Sequence, residues 1–369
     1  MALQSSLTFK EKLNKIAEIG WQEKQTTSFI RKALKVDPLV AGFGKEKVGL
    51  LYRLGHGKKT ILLRADIDAL KNGGKVDHIC GHSTHTAALM STFLNTQKYT
   101  QELNRQNKAI YFLFQPAEET FPSGAKAVLK EYFNSSQLPS FAFAAHVRPL
   151  EKKNVIYLQA GAIMAGGDYL EVEFVGEKKH VKNCLDSKDA IYGASYFVNL
   201  AKKFQSENRE LRFNFGVIAG GEQANAVAPF AIIKGDIRIK NSKDYLRVKK
   251  FLWEAKRLTE TQTKVKVKLN YYTGYPLLAN NSLLTKKITE YFDKEQSFEM
   301  VNKDGAFSYG CEDFAFFAQK VPSVYALIGT GDKNDIHTTN CMVSDAGTLS
   351  VEKYFLGVVD WFISSSAST

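Results

Sequence analysis

Seven histidines and four cysteines are spread over 369 residues, and their neighbours say more than their number. Cys80-Gly81-His82-Ser83-Thr84-His85 places three side chains of metal-ligand type within six residues. It stands ahead of residues 84–97, whose pattern predicts a helix. Thiolate and imidazole are the donors preferred by zinc and similar borderline cations. The spacing matches neither an HExxH helix nor a zinc finger. This segment alone therefore fits a core cysteine beside surface histidines as well as it fits a metal site. A second cluster is Gln115-Pro116-Ala117-Glu118-Glu119, where the apolar run 109–114 ends in two adjacent carboxylates. Ligands sit at the C-terminal ends of strands in open α/β sheets. Two neighbouring glutamates can divide labour, one holding a cation and one carrying a proton. Taken alone, such a pair is more often a solvated acidic loop. His146 ends another apolar run, 141–145, and His337 lies beyond the run 324–328 and the loop Gly329-Thr330-Gly331. A single histidine at a strand end is usually structural. Cys80, His82, Glu119, His146 and His337 in one chain offer donors enough for two cations that share ligands.

These side chains need a scaffold. Residues 8–35 carry two helical patterns, the second over 26–34 and ending before Asp37-Pro38. Residues 48–54 and 60–64 are β-rich runs split by Gly55-His56-Gly57-Lys58, a hairpin signal. The continuous apolar runs 109–114 and 141–145 predict strands buried on both faces, as in a parallel sheet. After Gly166-Gly167 the pattern changes to strand 169–175, helix 189–204, strands 211–218 and 231–239, helix 244–258 and the alternating strand 264–271. That order is βαββαβ. Helix 283–292 and strand 324–328 then resume the first pattern. The expected architecture is α/β: a mostly parallel-sheet catalytic domain, 1–166 and 275–369, interrupted by a smaller α+β domain, 167–274. Only the Ser-rich stretch 364–368 reads as low complexity.

Composition excludes some functions. Hydrophobic residues make up 44% and charged residues 24%, as in ordinary globular chains. No apolar stretch approaches the roughly 20 residues of a membrane span. The N-terminal sequence has no apolar core behind a basic start, so the expected location is cytoplasmic. None of the four cysteines forms a CxxC pair, which argues against a disulfide framework. The net charge of +12 comes from scattered lysines without a nucleic-acid-binding module, so neither nucleic acid nor membrane is an expected partner.

The ordered set of segments resembles the aminoacylase-type, two-metal amidohydrolase and peptidase family that includes hippurate hydrolases, N-acyl-L-amino acid amidohydrolases and auxin–amino acid conjugate hydrolases. The segments are 63–70 (Leu-Arg-Ala-Asp-Ile-Asp-Ala-Leu), 78–82 with His85, 114–119, and 146–149. Further matches are 162–167, 310–314 and the late His337. The resemblance covers nearly the whole chain. It implies that Cys80, His82, Glu119, His146 and His337 are ligands to two divalent ions, Mn²⁺ or Zn²⁺, with Co²⁺ or Ni²⁺ as substitutes. It makes Glu118 the general base that activates a metal-bound water and His180 an oxyanion-stabilising residue. Asn225 and Arg238 fall where the family's lid contacts substrate or dimer partner. The implied substrate is a small N-acyl amino acid or a peptide-like conjugate, and the inserted domain is the lid through which a homodimer or higher oligomer forms. Dipeptidase or aminopeptidase-like activity is the alternative within the enzyme class, and a non-catalytic metal-binding descendant is the alternative outside it.

The sequence departs from the family pattern at three places, one of them a short loop between Leu70 and His78 that would reshape the pocket rim. Ser83 stands where an aspartate usually follows the second ligand, and Lys178-Lys179 replace two glycines before His180. Ser83 substitutes a hydroxyl for an acceptor-only carboxylate beside a ligand. The lysine pair adds charge and removes backbone freedom.

Overall fold

The computed structural model describes residues 5–134, 137–302 and 305–365. Most of the Ser-rich stretch, from residue 366 on, lies outside them. The chain divides into two units: Met1–Ile163, Ala279–Phe307 and Asp313–Thr369 form the first, and Met164–Leu278 with Ser308–Glu312 the second.

In the first unit the apolar runs become strands β1 (Leu50–Leu54), β2 (Lys59–Asp66), β3 (Lys108–Gln115), β4 (Phe141–Arg148) and β5 (Val155–Tyr157). Every residue of β3 is buried, as a strand covered on both faces requires. The second unit contains β6 (Gly166–Val175), β7 (Arg212–Gly220), β8 (Phe230–Ile239) and β9 (Lys266–Tyr275), after which the first unit adds β10 (Met300–Asn302) and β11 (Ser323–Gly329). The seven-stranded sheet of the first unit has the order β1-β3-β2-β4-β11-β5-β10. Only β1 against β3 and β11 against β5 are antiparallel.

The hairpin expected at Gly55-His56-Gly57-Lys58 does not form. β1 and β2 are not neighbours; β3 lies between them, pairing Leu51 with Leu113 on one side and Leu63 with Phe112 on the other. Gly57 explains the linker. A Cβ there would come within 2.0 Å of the Lys108 nitrogen, so the chain crosses the start of β3 at glycine-only distance.

Helices cover the sheet. α1 (Ser6–Asn14), α2 (Lys24–Leu34) and α3 (His82–Thr96) precede the second unit. That unit contributes α4 (Ala190–Glu207) and α5 (Ser242–Thr263). α6 (Ser282–Glu295) and α7 (Asp345–Ser364) follow it. α3 is buried along nearly its whole length because α1 and α7 pack on it while it packs on β2. Phe9, Leu63, Leu89, Phe93, Phe112 and Val358 meet in one apolar core, which fixes the first turn of α3 against the C-terminal ends of the strands.

The second unit has the βαββαβ order. Its four-stranded antiparallel sheet runs β7-β8-β6-β9 and packs on α4 and α5 around Val172, Phe174, Phe197 and Ile233. Asp189 caps α4 by accepting the Ile191 and Tyr192 N–H groups. The other face of the sheet is open, with the cross-strand pair Tyr169 and Tyr272 exposed. β7 is an edge strand and leaves Val217 and Ile218 exposed. Among the described residues no helix is long and apolar enough to cross a membrane.

Candidate metal centre

Three loops of the first unit and the first turn of α3 bring ligand-type side chains together. Cys80 stands just before α3 and His82 is its first residue, behind Gly81, whose φ of +86° admits glycine readily. Glu118 and Glu119 follow β3, His146 lies near the end of β4, and His337 lies beyond β11. Cys80 Sγ is 3.3 Å from His146 Nε2 and 3.1 Å from His337 Nε2. His337 Nε2 is 3.2 Å from Glu119 Oε1. Donor atoms of Cys80, His82 and His146 lie within 4.8 Å of one another, as do those of Cys80, Glu119 and His337 and those of His82, Glu118 and Glu119. The three groups share Cys80, His82 and Glu119, so the six side chains form one continuous cluster.

The histidines are presented by their other nitrogens. His146 Nδ1 donates to the Val147 carbonyl at 2.8 Å, leaving Nε2 toward Cys80. His82 Nδ1 lies 3.0 Å from the Asp68 carbonyl and 3.1 Å from its carboxylate, which fixes the proton there and frees Nε2. Partners of this kind set the orientation and basicity of ligating imidazoles. His337 adopts a left-handed backbone, φ 61°, and its N–H donates to the Ile79 carbonyl at 2.8 Å, tying it to the Cys80 loop.

The donor set fits a cation. His82 Nε2 is buried and has no hydrogen-bond partner among the described residues. Burial, with Glu119 and Glu118 nearby, pushes the Cys80 thiol well above its usual pKa. A dication among these groups would reverse that preference and favour the thiolate. Burial lowers His146 to about 4, so it is neutral near pH 7 as ligation requires. Burial disfavours charge on His82, but Asp66 and Asp68 outweigh it and raise its pKa to about 10. Ligation at Nε2 is therefore coupled to proton release.

His85 does not belong to this donor set, although its spacing from Cys80 and His82 allows it. Its Nδ1 is 2.7 Å from Asp66 Oδ1, and its Nε2 accepts the Val147 N–H at 3.1 Å. Both ring nitrogens are engaged, so its role is to brace β2 against β4. Ser83 is buried beside these groups, and the orienting carboxylates come instead from Asp66 and Asp68 at the end of β2.

The sequence reading assigned no role to the buried polar groups beneath the cluster. Arg64 is fully buried and donates to Asp66 at 2.8 Å, to Asp313 at 2.8 Å and to Gln115 Oε1 at 3.0 Å. Asp313 also accepts from Ser123 and the Ala125 N–H. The signal was present in Arg64, Asp66 and Asp68, charged at alternate positions of an otherwise apolar run, because buried charges require partners. Glu23, fully buried ahead of α2, accepts the Ala117 N–H at 2.7 Å. Burial and the neighbouring Asp68 raise its pKa from 4.5 to about 8.

His180, Asn225 and Arg238 all lie in the second unit. His180 is exposed, and its Nδ1 accepts the Lys182 N–H at 3.3 Å. Asn225 is exposed, and its carbonyl accepts the Val181 N–H at 2.9 Å. Residue 180 bridges to Ala226, so His180 and Asn225 occupy adjacent segments. Arg238 is engaged by Asp236 at 2.5 Å and by Cys311 Sγ at 2.6 Å.

The chain is similar to known proteins over most of its length. The chain is 27% identical over 364 residues to the N-acetyl-L-cysteine deacetylase of Bacillus subtilis, covering 93% of this chain and 84% of that one. It is 26% identical over 356 residues to the N-acetyldiaminopimelate deacetylase of Priestia megaterium, covering 91% and 92%. It is 25% identical over 355 residues to the hippurate hydrolase of Campylobacter jejuni, covering 90% and 89%. In fold it resembles a Bacillus subtilis protein described as a dinuclear metal binding peptidase from the M20 family, with a TM-score of 0.81, 21% identity and coverage of 97% and 98%. A profile of peptidase family M20/M25/M40 matches residues 62–360, which span β2 to α7 and the whole side-chain cluster, and the chain belongs to that family.

Proposed function

We propose that this protein is a metal-dependent amidohydrolase that cleaves the amide bond of an N-acyl amino acid or a related conjugate. The observation that carries the reading is the buried Glu118 beside a continuous Cys–His–Glu donor cluster at the end of β3. The names of the similar deacetylases and of the hippurate hydrolase support the substrate class. Cys80, His82, Glu119, His146 and His337 would hold two divalent ions of the Mn²⁺ or Zn²⁺ type. Such ions, when bound, polarise a carbonyl and lower the pKa of water. Glu118 takes a proton at its carboxylate and returns it to the leaving nitrogen, while Asp68 and the Val147 carbonyl keep the imidazoles aimed. His180, Asn225 and Arg238 are assigned to the second unit's part in binding: His180 to the oxyanion, Asn225 and Arg238 to substrate or partner subunit. The second unit serves as lid and dimerisation domain, its open β7 edge with Val217 and Ile218 supporting pairing with a second copy.

The test is hydrolysis of N-acetyl, N-benzoyl and indole-acyl amino acids by chelator-stripped protein, with Mn²⁺, Zn²⁺ or Co²⁺ returned. Release of free amino acid is expected only with metal. Glu118→Gln is expected to lose at least about a hundredfold in kcat, within the range for a general acid–base group, while keeping its metal content. A fully active Glu118→Gln variant removes Glu118 from the mechanism.

A further inference from the structure

The segment 18–24, between α1 and α2, holds no ligand-type histidine or cysteine, yet it grips the turn that carries Glu118 and Glu119 at three points. Glu23 Oε1 accepts the Ala117 N–H at 2.7 Å. The Trp21 indole N–H donates to the Pro122 carbonyl at 2.7 Å. Gly20 lies flat against the turn: a Cβ there would come within 2.5 Å of Thr120 Oγ1 and 3.1 Å of Ala117 Cα. The segment is itself anchored. The Glu18 carbonyl accepts the Ala69 N–H at 2.8 Å, and its carboxylate accepts the Thr26 N–H at 2.9 Å at the start of α2.

The turn needs such support. Ala117 has φ 54°, a left-handed conformation that costs an L-residue roughly 1–2 kcal/mol. Its carbonyl accepts the Gly124 N–H at 2.9 Å, and its own N–H is given to Glu23. On the far side of Glu118, the Glu119 N–H donates to Asp68 Oδ2 at 2.9 Å. Two fully buried carboxyl groups, Glu23 and Asp68, therefore pin the amides immediately before and after Glu118. Without Glu23 the Ala117 N–H would be a buried orphan, and the left-handed residue would lose the bond that offsets its strain.

We propose that residues 18–24 form a clasp that sets the backbone of the carboxylate turn, with Glu23 as a positioning residue for Glu118 and Glu119; this rests on the roles assigned to those two glutamates above. Glu23 is placed outside the six-residue cluster. It acts through the Ala117 amide.

The test uses the full metal-loaded chain and reads Mn²⁺ affinity by chelator competition, kcat and KM separately, and the thermal midpoint. Glu23→Ala is expected to weaken Mn²⁺ binding and lower kcat by on the order of ten- to a hundredfold, as when a supporting partner of a metal site is lost, with KM little changed. Glu23→Gln, whose amide oxygen still accepts the Ala117 N–H, is expected to keep near wild-type Mn²⁺ affinity and kcat at neutral pH. Trp21→Phe, which removes the indole donor and trims the ring, is expected to shift the same quantities in the same direction by less. If Glu23→Ala does not fold, Trp21→Phe decides. Wild-type Mn²⁺ affinity and kcat in the folded variants, while Glu118→Gln loses turnover and Glu119→Ala loses metal, would overturn the clasp and leave the functional reading intact. An active Glu118→Gln with a metal-retaining Glu119→Ala would instead defeat that reading, and the clasp with it.

Discussion

The buried carboxyl of Glu23 makes a prediction about pH that can be worked through. Its pKa is raised from 4.5 to about 8, first by burial and then by Asp68, with Glu18 adding in the same direction. A carboxyl with a raised folded-state pKa binds its proton more tightly in the folded chain than in the unfolded one. Its contribution is therefore intact below pH 4.5, falls as pH rises, and reaches its full cost above about 8. At about 1.4 kcal/mol per pH unit, the loss between pH 5.5 and 8.5 comes to about 3 kcal/mol. Glu23→Gln keeps the acceptor for Ala117 and cannot ionise. Relative to wild type, the variant should gain about 3 kcal/mol over that interval. The assay is urea unfolding of both chains at pH 5.5, 7.0 and 8.5, under one fixed metal condition, followed by a probe in the first unit. All other titrating groups are common to both chains and cancel in the difference. Parallel stability curves would show that Glu23 is ionised throughout or is relieved by a partner, and would refute the reasoning.

Arg64→Met should destabilise the first unit by about 3–5 kcal/mol, because it removes the buried guanidinium that Asp66 and Asp313 share; chemical denaturation that finds less than about 1 kcal/mol would show that solvent reaches these groups. Asp68→Asn should weaken Mn²⁺ binding by about ten- to a hundredfold without unfolding the protein, since it disturbs both His82 Nδ1 and the Glu119 amide. Unchanged affinity would mean that the Asp68 carbonyl alone orients His82.

The sequence revealed the scaffold wherever burial leaves a local signature. Strands covered on both faces read as continuous apolar runs, and the runs at 109–114, 141–145 and 324–328 all became central strands. Asp189 marked the start of α4 because a capping carboxylate acts on amides two and three residues away. The Gly55–Lys58 linker misled because strand pairing is not local. The four residues record only that the chain reverses, whereas β3, arriving fifty residues later, decides what pairs with what. The same distinction runs through the candidate site. Cys80, His82, Glu119, His146 and His337 could be gathered from residue type and strand-end position, and the structure brings them together. His85 could not be separated from them by spacing; Asp66 and the Val147 amide, from two other strands, occupy both its nitrogens. Glu23 gave no local sign at all, and Asp313 stood out only as part of the segment 310–314, since a carboxylate's partner is set by tertiary packing.

The register at the base of the second unit bears on how the chain reaches this state. β6 begins the unit and β9 ends it, and they lie side by side, with Gly167 opposite Tyr275. Once this unit has folded, the two flanking stretches of chain leave from adjacent points, and an excursion of about 115 residues behaves as a connection of only a few. Loop-closure entropy grows by about 0.6 kcal/mol per doubling of length, and folding of the second unit cuts the effective loop between β4 and β11 to about a third, so it removes roughly 1 kcal/mol from the entropic barrier to joining them. His337 is the last of the five candidate ligands along the chain and stands beyond that join. Folding of the second unit therefore favours the join on which closure of the cluster depends.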